Sequence, residues 1–239
     1  MDRPSFFYRV FRLNPVGEPQ QFLGTAFPVA PDGGLLTCRH VTDSQPSAGE
    51  SLAVLDDEAD RLVRVEDVRY PADADLDIAF IPNALQRSKA EFFPVLTPDR
   101  MLIGEDVYSV GYFLAGGERT RTQAGYFKGN IVNFSKAPTS DHGVMTLSYP
   151  IVEGLSGAPV LTYHNGPKVV GLAFGSISSR VTAAEVVEYQ DDDVTVRETV
   201  SRIVEFGLGY QAHVLIRAAE ELAIDLEVTD GQPDIPGLG

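Results

Sequence analysis

The stretch Glu153-Gly154-Leu155-Ser156-Gly157-Ala158-Pro159 sets a serine between two glycines, and it lies between the apolar runs Val144-Met145-Thr146-Leu147 and Val160-Leu161-Thr162-Tyr163. Backbone N–H groups converge on one point only where the chain turns with no Cβ in the way, and glycine allows that. The N–H groups of Gly154 and Ser156 would then form an oxyanion hole beside the Ser156 hydroxyl. A Gly-Ser turn between two strands is the plainer reading, so the rest of the chain must supply a base. A serine hydroxyl is a weak nucleophile until a base takes its proton. Histidine suits that task because it titrates near neutral pH, and a carboxylate must fix its tautomer.

Four histidines are available. His142, in Thr139-Ser140-Asp141-His142-Gly143, reads as part of an exposed turn, and His164, before Asn165-Gly166, as a hairpin tip. His213 opens a helical segment. His40 differs because it ends the apolar strand Leu35-Leu36-Thr37-Cys38-Arg39-His40-Val41, where a polar ring needs a partner. Asp73, Asp75 and Asp77 compete for the carboxylate role. Asp77 sits at the mouth of the buried run Ile78-Ala79-Phe80-Ile81, whereas Asp73 and Asp75 belong to a looser run and read as solvated.

The elements that must position these groups are short strands. Alternation and turn residues mark strands at Phe7–Leu13, Phe22–Val29, Leu35–Cys38, Ser51–Leu55, Arg61–Val65 and Asp77–Ile81. Residues 82–104, with Pro82, Pro94 and Pro98, read as a connection between two halves. Strands resume at Asp106–Tyr112, Thr120–Tyr126, Gly129–Phe134, Lys168–Gly175 and Arg202–Tyr210. An acidic excursion, tipped by Asp191-Asp192-Asp193, occupies 176–200, and Val214–Leu222 has apolar residues at helical spacing. Strands this short and frequent predict an all-β barrel or sandwich architecture rather than βαβ units. The tail from Asp230 is rich in Gly, Pro and Asp and reads as disordered.

Composition excludes several classes. With 34 Asp plus Glu against 19 Lys plus Arg, the balance argues against a nucleic-acid or anionic-membrane partner. No apolar run approaches the roughly 18–20 residues of a membrane helix. Cys38 is the single cysteine, and the N-terminal residues lack a signal-peptide pattern, so the cytoplasm is the expected compartment. One cysteine and four scattered histidines give no metal-ligand spacing, and no cofactor motif is present.

Taken together, these motifs resemble those of the chymotrypsin-fold (trypsin-like) serine peptidases, nearest to bacterial intracellular members and the HtrA (Deg) branch. Gly24-Thr25-Ala26-Phe27 with Leu36-Thr37-Cys38-Arg39-His40-Val41 resembles the family's histidine segment. Asp75-Leu76-Asp77-Ile78-Ala79-Phe80 resembles its aspartate segment, and Gly104–Tyr112 the strand that opens its second barrel. Gly154–Pro159 resembles the nucleophile loop, and Gly207-Leu208-Gly209-Tyr210-Gln211-Ala212 the last strand before a closing helix. The order and spacing fit, with 77 − 40 = 37 residues from His40 to Asp77 and 156 − 77 = 79 from Asp77 to Ser156.

The resemblance implies an all-β fold of two six-stranded antiparallel β-barrels with a C-terminal helix. Residues 1–99 would form the first barrel, 100–228 the second barrel and helix, and 229–239 the tail. It implies an endopeptidase using His40, Asp77 and Ser156, with the oxyanion held by Gly154 and Ser156. Pro150 would lie near the base of the side-chain pocket, Ala173-Phe174-Gly175 along a wall and Glu153 at the rim. With no acid at the base, the residue before the cleaved bond should be apolar or small. Leu155 and Ala158 replace the family's usual Asp or Asn and Gly, which implies synthesis in a folded form without zymogen pairing. Without a PDZ-like pattern after the peptidase segments, HtrA-type regulation and assembly are not expected. The implied partners are a polypeptide substrate and, for an activator-dependent form, a protein activator. An α/β-hydrolase pairing Ser156 with His213 fits less well, because Ala158 breaks its glycine pattern and β-like sequence follows Pro159. A peptidase-like binding module without turnover is the other alternative.

Overall fold

The computed structural model describes residues 6–43, 49–57, 59–82, 84–85, 91–97, 101–116, 118–137, 140–163, 166–190 and 193–230, the side chains of 183–190, 193–198 and 200 excepted. Two largely antiparallel sheets make up the fold, and a helix follows the last long strand. The first sheet contains β1 (Tyr8–Leu13), β2 (Pro19–Pro28), β3 (Leu35–Thr37), β4 (Ser51–Asp56), β5 (Arg61–Arg64) and β6 (Ala79–Ile81). Its order is β5-β4-β1-β2-β3-β6. The chain leaving β5 completes the turn of the sheet, because Arg69 exchanges both backbone hydrogen bonds with Phe80 of β6.

The second sheet contains β7 (Val95–Leu96), β8 (Asp106–Leu114), β9 (Thr122–Lys136), β10 (Gly143–Leu147), β11 (Pro159–Tyr163), β12 (Pro167–Gln190), β13 (Asp193–Gln211) and β14 (Val228–Thr229). Pairing runs β11-β8-β9-β10-β13-β12 and returns from β12 to β11, so six strands form a closed ring. Closure leaves no bare edge inside the ring. β7 lies before residue 100 yet adds to β12 in parallel, and β14 adds to β7. Thus part of the segment expected to be a plain connection is strand.

Alternation explains the interiors. Val10, Phe27, Leu35, Ile78 and Leu85 fill the first sheet, and their cluster continues without a break into Leu161, Leu172, Tyr210 and Val214 of the second half. A further cluster, centred on Val107, Ile131, Leu147 and Val160, fills the ring. The helix expected near the end is Ala212–Glu221, which buries Val214, Leu215, Ala218 and Ala219 at helical spacing.

Three expectations need correction. Thr120–Tyr126 and Gly129–Phe134 are one strand, β9, because Gly129 pairs with Val107 without a turn. A Cβ there would meet Ser148, so this glycine serves close packing rather than a break. The excursion at 176–200 is a two-stranded ribbon, the outer parts of β12 and β13, paired from Ile177↔Phe206 to Gln190↔Asp193 with register shifts after Thr182 and Glu188. His40 does not end a strand: β3 stops at Thr37, and His40 lies in a short helix, Arg39–Thr42. His164 and the tail from 231 lie outside the described residues.

Candidate active site

His40 and Asp77 come together where the two sheets meet. The one-turn helix turns the His40 ring outward, with its side chain about half exposed, while Val41 and Thr42 bury beneath. Asp77 addresses it with both oxygens. Oδ1 accepts the His40 backbone N–H at 2.8 Å, and Oδ2 lies 2.6 Å from Nδ1. Nδ1 therefore carries the proton donated to Asp77, and Nε2 is the free basic nitrogen.

The loop that delivers Asp77 is anchored three ways. Arg39 donates to the carbonyls of Pro71 at 2.6 Å and Ala74 at 3.0 Å, with its guanidinium over the Tyr70 ring. Glu221, at the end of the C-terminal helix, accepts the Ala72 N–H. Asp73, expected to be solvated, accepts from His142 Nε2 at 2.8 Å. On the far side of that ring Arg217 donates to Nδ1 at 2.6 Å. His142 is therefore buried and clasped, not part of an exposed turn. Asp73 is held below its ordinary 3.8 by the Asp75 backbone N–H and then by His142. A fourth contact reaches Asp77 itself, whose N–H donates to the Tyr210 hydroxyl at 3.2 Å. Burial raises the Tyr210 hydroxyl above its ordinary 10.0, which keeps it neutral.

Ser156 is presented by the glycine turn, as its sequence suggested. Gly154 and Gly157 adopt φ of +96° and +87°. A Cβ on Gly157 would stand 2.0 Å from the Thr25 carbonyl oxygen. Thr25, in β2, seats the turn: its N–H donates to the Ser156 carbonyl at 2.9 Å and its hydroxyl to the Gly154 carbonyl at 2.9 Å. Thr37 in turn donates to the Thr25 carbonyl at 2.7 Å. The Glu153 carbonyl is held outward by the Leu114 N–H at 3.1 Å. Carbonyl and N–H of one trans peptide point opposite ways, so the Gly154 N–H is aimed away from Leu114. Among the described residues, neither the Gly154 nor the Ser156 N–H donates to another protein group. The Ser156 hydroxyl donates to the Phe174 carbonyl at 3.4 Å, and among the described residues no hydrogen bond joins it to His40.

Cys38, read from the sequence only as a lone cysteine, has a place beside the site. Its thiol donates to the Ala173 carbonyl at 3.3 Å, and the Gly157 N–H reaches the same oxygen at 2.8 Å. One carbonyl thus ties the histidine segment to the serine turn. Burial, with Asp77 beside it, pushes the thiol well above its ordinary 9.0, so it stays protonated. Folding gathers Cys38, His40 and Asp77 until their donor atoms lie within 4.8 Å of one another. The fold thus brings together donors that are scattered in sequence. The Nδ1–Oδ2 bond and the protonated thiol already occupy that set.

Of the pocket residues, Ala173 is buried, Phe174 and Gly175 are half-buried, Pro150 is half-buried and Glu153 is exposed. Phe174 stacks on Tyr210 with centroids 4.4 Å apart. The Ser176 hydroxyl accepts the Ile151 N–H at 2.7 Å and donates to the Ile151 carbonyl at 3.3 Å, tying the two walls together. Ile151 is buried against Gly207, where a Cβ would meet the isoleucine at 3.0 Å.

Comparison with known proteins bears on this arrangement. No curated protein sequence matches the chain. Among solved structures, the chain is similar to the inactive form of a serine-to-alanine mutant of Rv3671c from M. tuberculosis H37Rv, with 20% identity and a TM-score of 0.57 over 91% of this chain and 86% of that one. It is also similar to the HtrA-type protease AlgW crystallised with a decapeptide, with 14% identity and a TM-score of 0.57 over 91% of this chain and 63% of that one. Likeness at these identities concerns the fold, which is chymotrypsin-like. The trypsin-like peptidase domain matches residues 24–172, a span that runs from the glycine before Thr25 to the residue before Ala173 and takes in more than half of the sequence, and on that match the chain belongs to the trypsin-like peptidase family.

Proposed function

We propose that the protein is a serine endopeptidase that works in the cytoplasm on polypeptide substrates through His40, Asp77 and Ser156. The observation that carries the reading is the use of both Asp77 oxygens on His40, which leaves Nε2 as a base with a fixed tautomer. Ser156 Oγ attacks the peptide carbonyl and its proton passes to Nε2. The oxyanion that forms is met by the Gly154 and Ser156 N–H groups. Nε2 then protonates the departing amine, and water, activated by the same nitrogen, releases the acyl group. The 3.4 Å bond from Ser156 to the Phe174 carbonyl is at the weak end of the hydrogen-bond range, so rotation about the serine Cα–Cβ bond frees it readily. No cofactor is needed.

The pocket favours a small or apolar residue before the cleaved bond. Pro150 offers no charge, and Ala173, Phe174 and Gly175 give the expected wall no acidic side chain. A second reading rests on the same serine rotamer: with Ser156 turned to Phe174, the chain works as an activator-dependent peptidase or as a binding module.

Labelling with a fluorophosphonate probe separates these readings. Purified wild type should label and Ser156→Ala should not, and profiling should then show cleavage after small or apolar residues. Labelling only with added lysate supports an activator. No labelling in either condition supports the binding module, and cleavage confined to sites after arginine would overturn the apolar pocket.

A further inference from the structure

The outer face of the closed ring carries tyrosines that the catalytic reading does not use. In β8 Val107 and Ser109 are buried inside the ring, so alternation turns Asp106 and Tyr108 outward. β9 sets Lys128 opposite Tyr108 and Tyr126 opposite Val110, which brings both to that outer face. On the other side Leu161 of β11 pairs with Tyr108, and Tyr163 follows two residues on. The Thr162 hydroxyl donates to the Asp106 carbonyl at 3.2 Å and holds the end of β11 to the start of β8. Tyr108, Tyr126 and Tyr163 thus line one cavity of about 530 Å³ together with Glu105, Asp106 and Lys128.

The rings offer faces and the rim offers negative charge. Tyr108 and Tyr126 stack with centroids 5.1 Å apart and planes 26° apart. Tyr126 is 62% and Tyr163 75% exposed, so ring surface stays open to an incoming group. Burial, with the hydroxyls of Tyr126 and Tyr163 nearby, raises the Tyr108 hydroxyl above its ordinary 10.0 and keeps it neutral. Asp106 accepts from Lys128 Nζ at 2.7 Å, so this wall already holds one cation. Glu105 brings a second carboxylate, placed by the Leu102 N–H at 3.1 Å. Two carboxylates beside one ammonium disfavour an anion, and aromatic faces attract a cation through their quadrupole. A guanidinium answers both features, because it is planar, stacks on a ring and forks onto carboxylates. The chain uses the same pairing internally, with Arg9 over Tyr112 and Arg39 over Tyr70.

We propose that this tyrosine-lined cavity binds an arginine side chain of a partner protein. The turn before β8 exposes Leu102 and Ile103, which give residues flanking that arginine an apolar contact. The net charge of −15 draws a basic partner toward the surface before contact. The cavity shares no residue with His40, Asp77 or Ser156, so its occupancy does not depend on the peptidase reading. It would serve as a docking point away from the cleft.

The test titrates isotope-labelled Ser156→Ala, so that binding is read without hydrolysis, with a short blocked peptide in which one arginine is flanked by serine and glycine. Amide shifts followed by NMR should concentrate at residues 105–108, 126–128 and 163 and spare 154–157. The same peptide with citrulline, the uncharged isostere of arginine, should bind at least about fivefold more weakly. Tyr126→Ala, added to the same chain, should weaken the arginine peptide by about fivefold as well. Lys128→Met should strengthen it, because the resident ammonium no longer competes for Asp106. Tyr126 and Lys128 are exposed, so both variants should keep the parent's unfolding midpoint. No shifts, shifts confined to 154–157, equal binding of the citrulline peptide, or weaker binding in Lys128→Met would overturn the proposal. Tighter binding of a trimethyl-lysine peptide than of the arginine peptide would reject the guanidinium in favour of a quaternary ammonium. Maltotriose moving the same amides while the arginine peptide moves none would reject the cation and give the rings to a neutral sugar. Fluorophosphonate labelling of wild type reports the peptidase reading separately.

Discussion

Asp77 and Asp73 are four residues apart, and each accepts from a histidine, yet the two pairs answer to different measurements. Asp77→Asn keeps the shape and loses the charge that fixes the His40 tautomer. It should cut kcat by about 10⁴-fold in a peptide assay and leave the folding transition nearly in place. Unchanged turnover would move the role to another carboxylate. Asp73→Asn should do the reverse, lowering stability with Ser156 still reactive. The Asp73 carboxyl titrates below its ordinary 3.8, so its contribution is present above that value. It is lost as pH falls through the depressed folded value. Urea unfolding should separate wild type from Asp73→Asn at neutral pH, and the difference should vanish in strong acid. A gap that persists there would mean that the charge is not what the clasp uses. The candidates His40 and Asp77 stood out because each flanks an apolar run, and Ser156 because glycines bracket it. His142 was not, because its partners Asp73 and Arg217 lie 69 and 75 residues away in sequence and only the fold brings them to one ring.

The turn from Gly154 to Gly157 presents Ser156, and the threonine seat beneath it governs its shape. At Gly157 a side chain meets both left-handed backbone strain and the Thr25 carbonyl. Gly157→Ala should destabilise the protein by about 3 kcal/mol and abolish probe labelling, combining strain with a clash that backbone must absorb. Labelling at wild-type rate in that variant would show that the turn tolerates rearrangement. The glycines announced this turn in the sequence, and the alternation of β1, β4 and β8 announced those strands. The ribbon of β12 and β13 was less readable. Its valines and threonines suit a strand, but the acidic tip and the scattered glutamates left a solvated hairpin and a lid or docking loop both open. Pairing across the ribbon, which makes those residues a strand, is a property of two segments together.

Over the whole molecule, one apolar cluster runs from Val10 and Phe27 through Leu172 and Tyr210 to Val214. The two sheets share this interior, so neither can open its inner face without exposing the other's. Heat should therefore unfold the protein in one transition, with far-ultraviolet circular dichroism and calorimetry giving the same midpoint and equal van't Hoff and calorimetric enthalpies. Two resolved transitions would show that the halves are independent. The sequence foretold two halves but not their common interior, because periodicity reports which face of a strand is apolar and not what lies against it.

The short parallel pair of β14 with β7 gives this arrangement a mechanical side. Val95 and Thr97 donate to the carbonyls of Glu227 and Thr229, and Val95 also lies in register with Val169 of β12. Tension on the chain beyond Thr229 would shear a latch of two hydrogen bonds before it reached the helix. The load would next fall on the helix and, through it, on the end of β13, whose Gly209 pairs with Ala173 of the cleft wall. A tether, a neighbouring domain or a ratcheting machine pulling there would have a direct mechanical grip on the wall of the cleft.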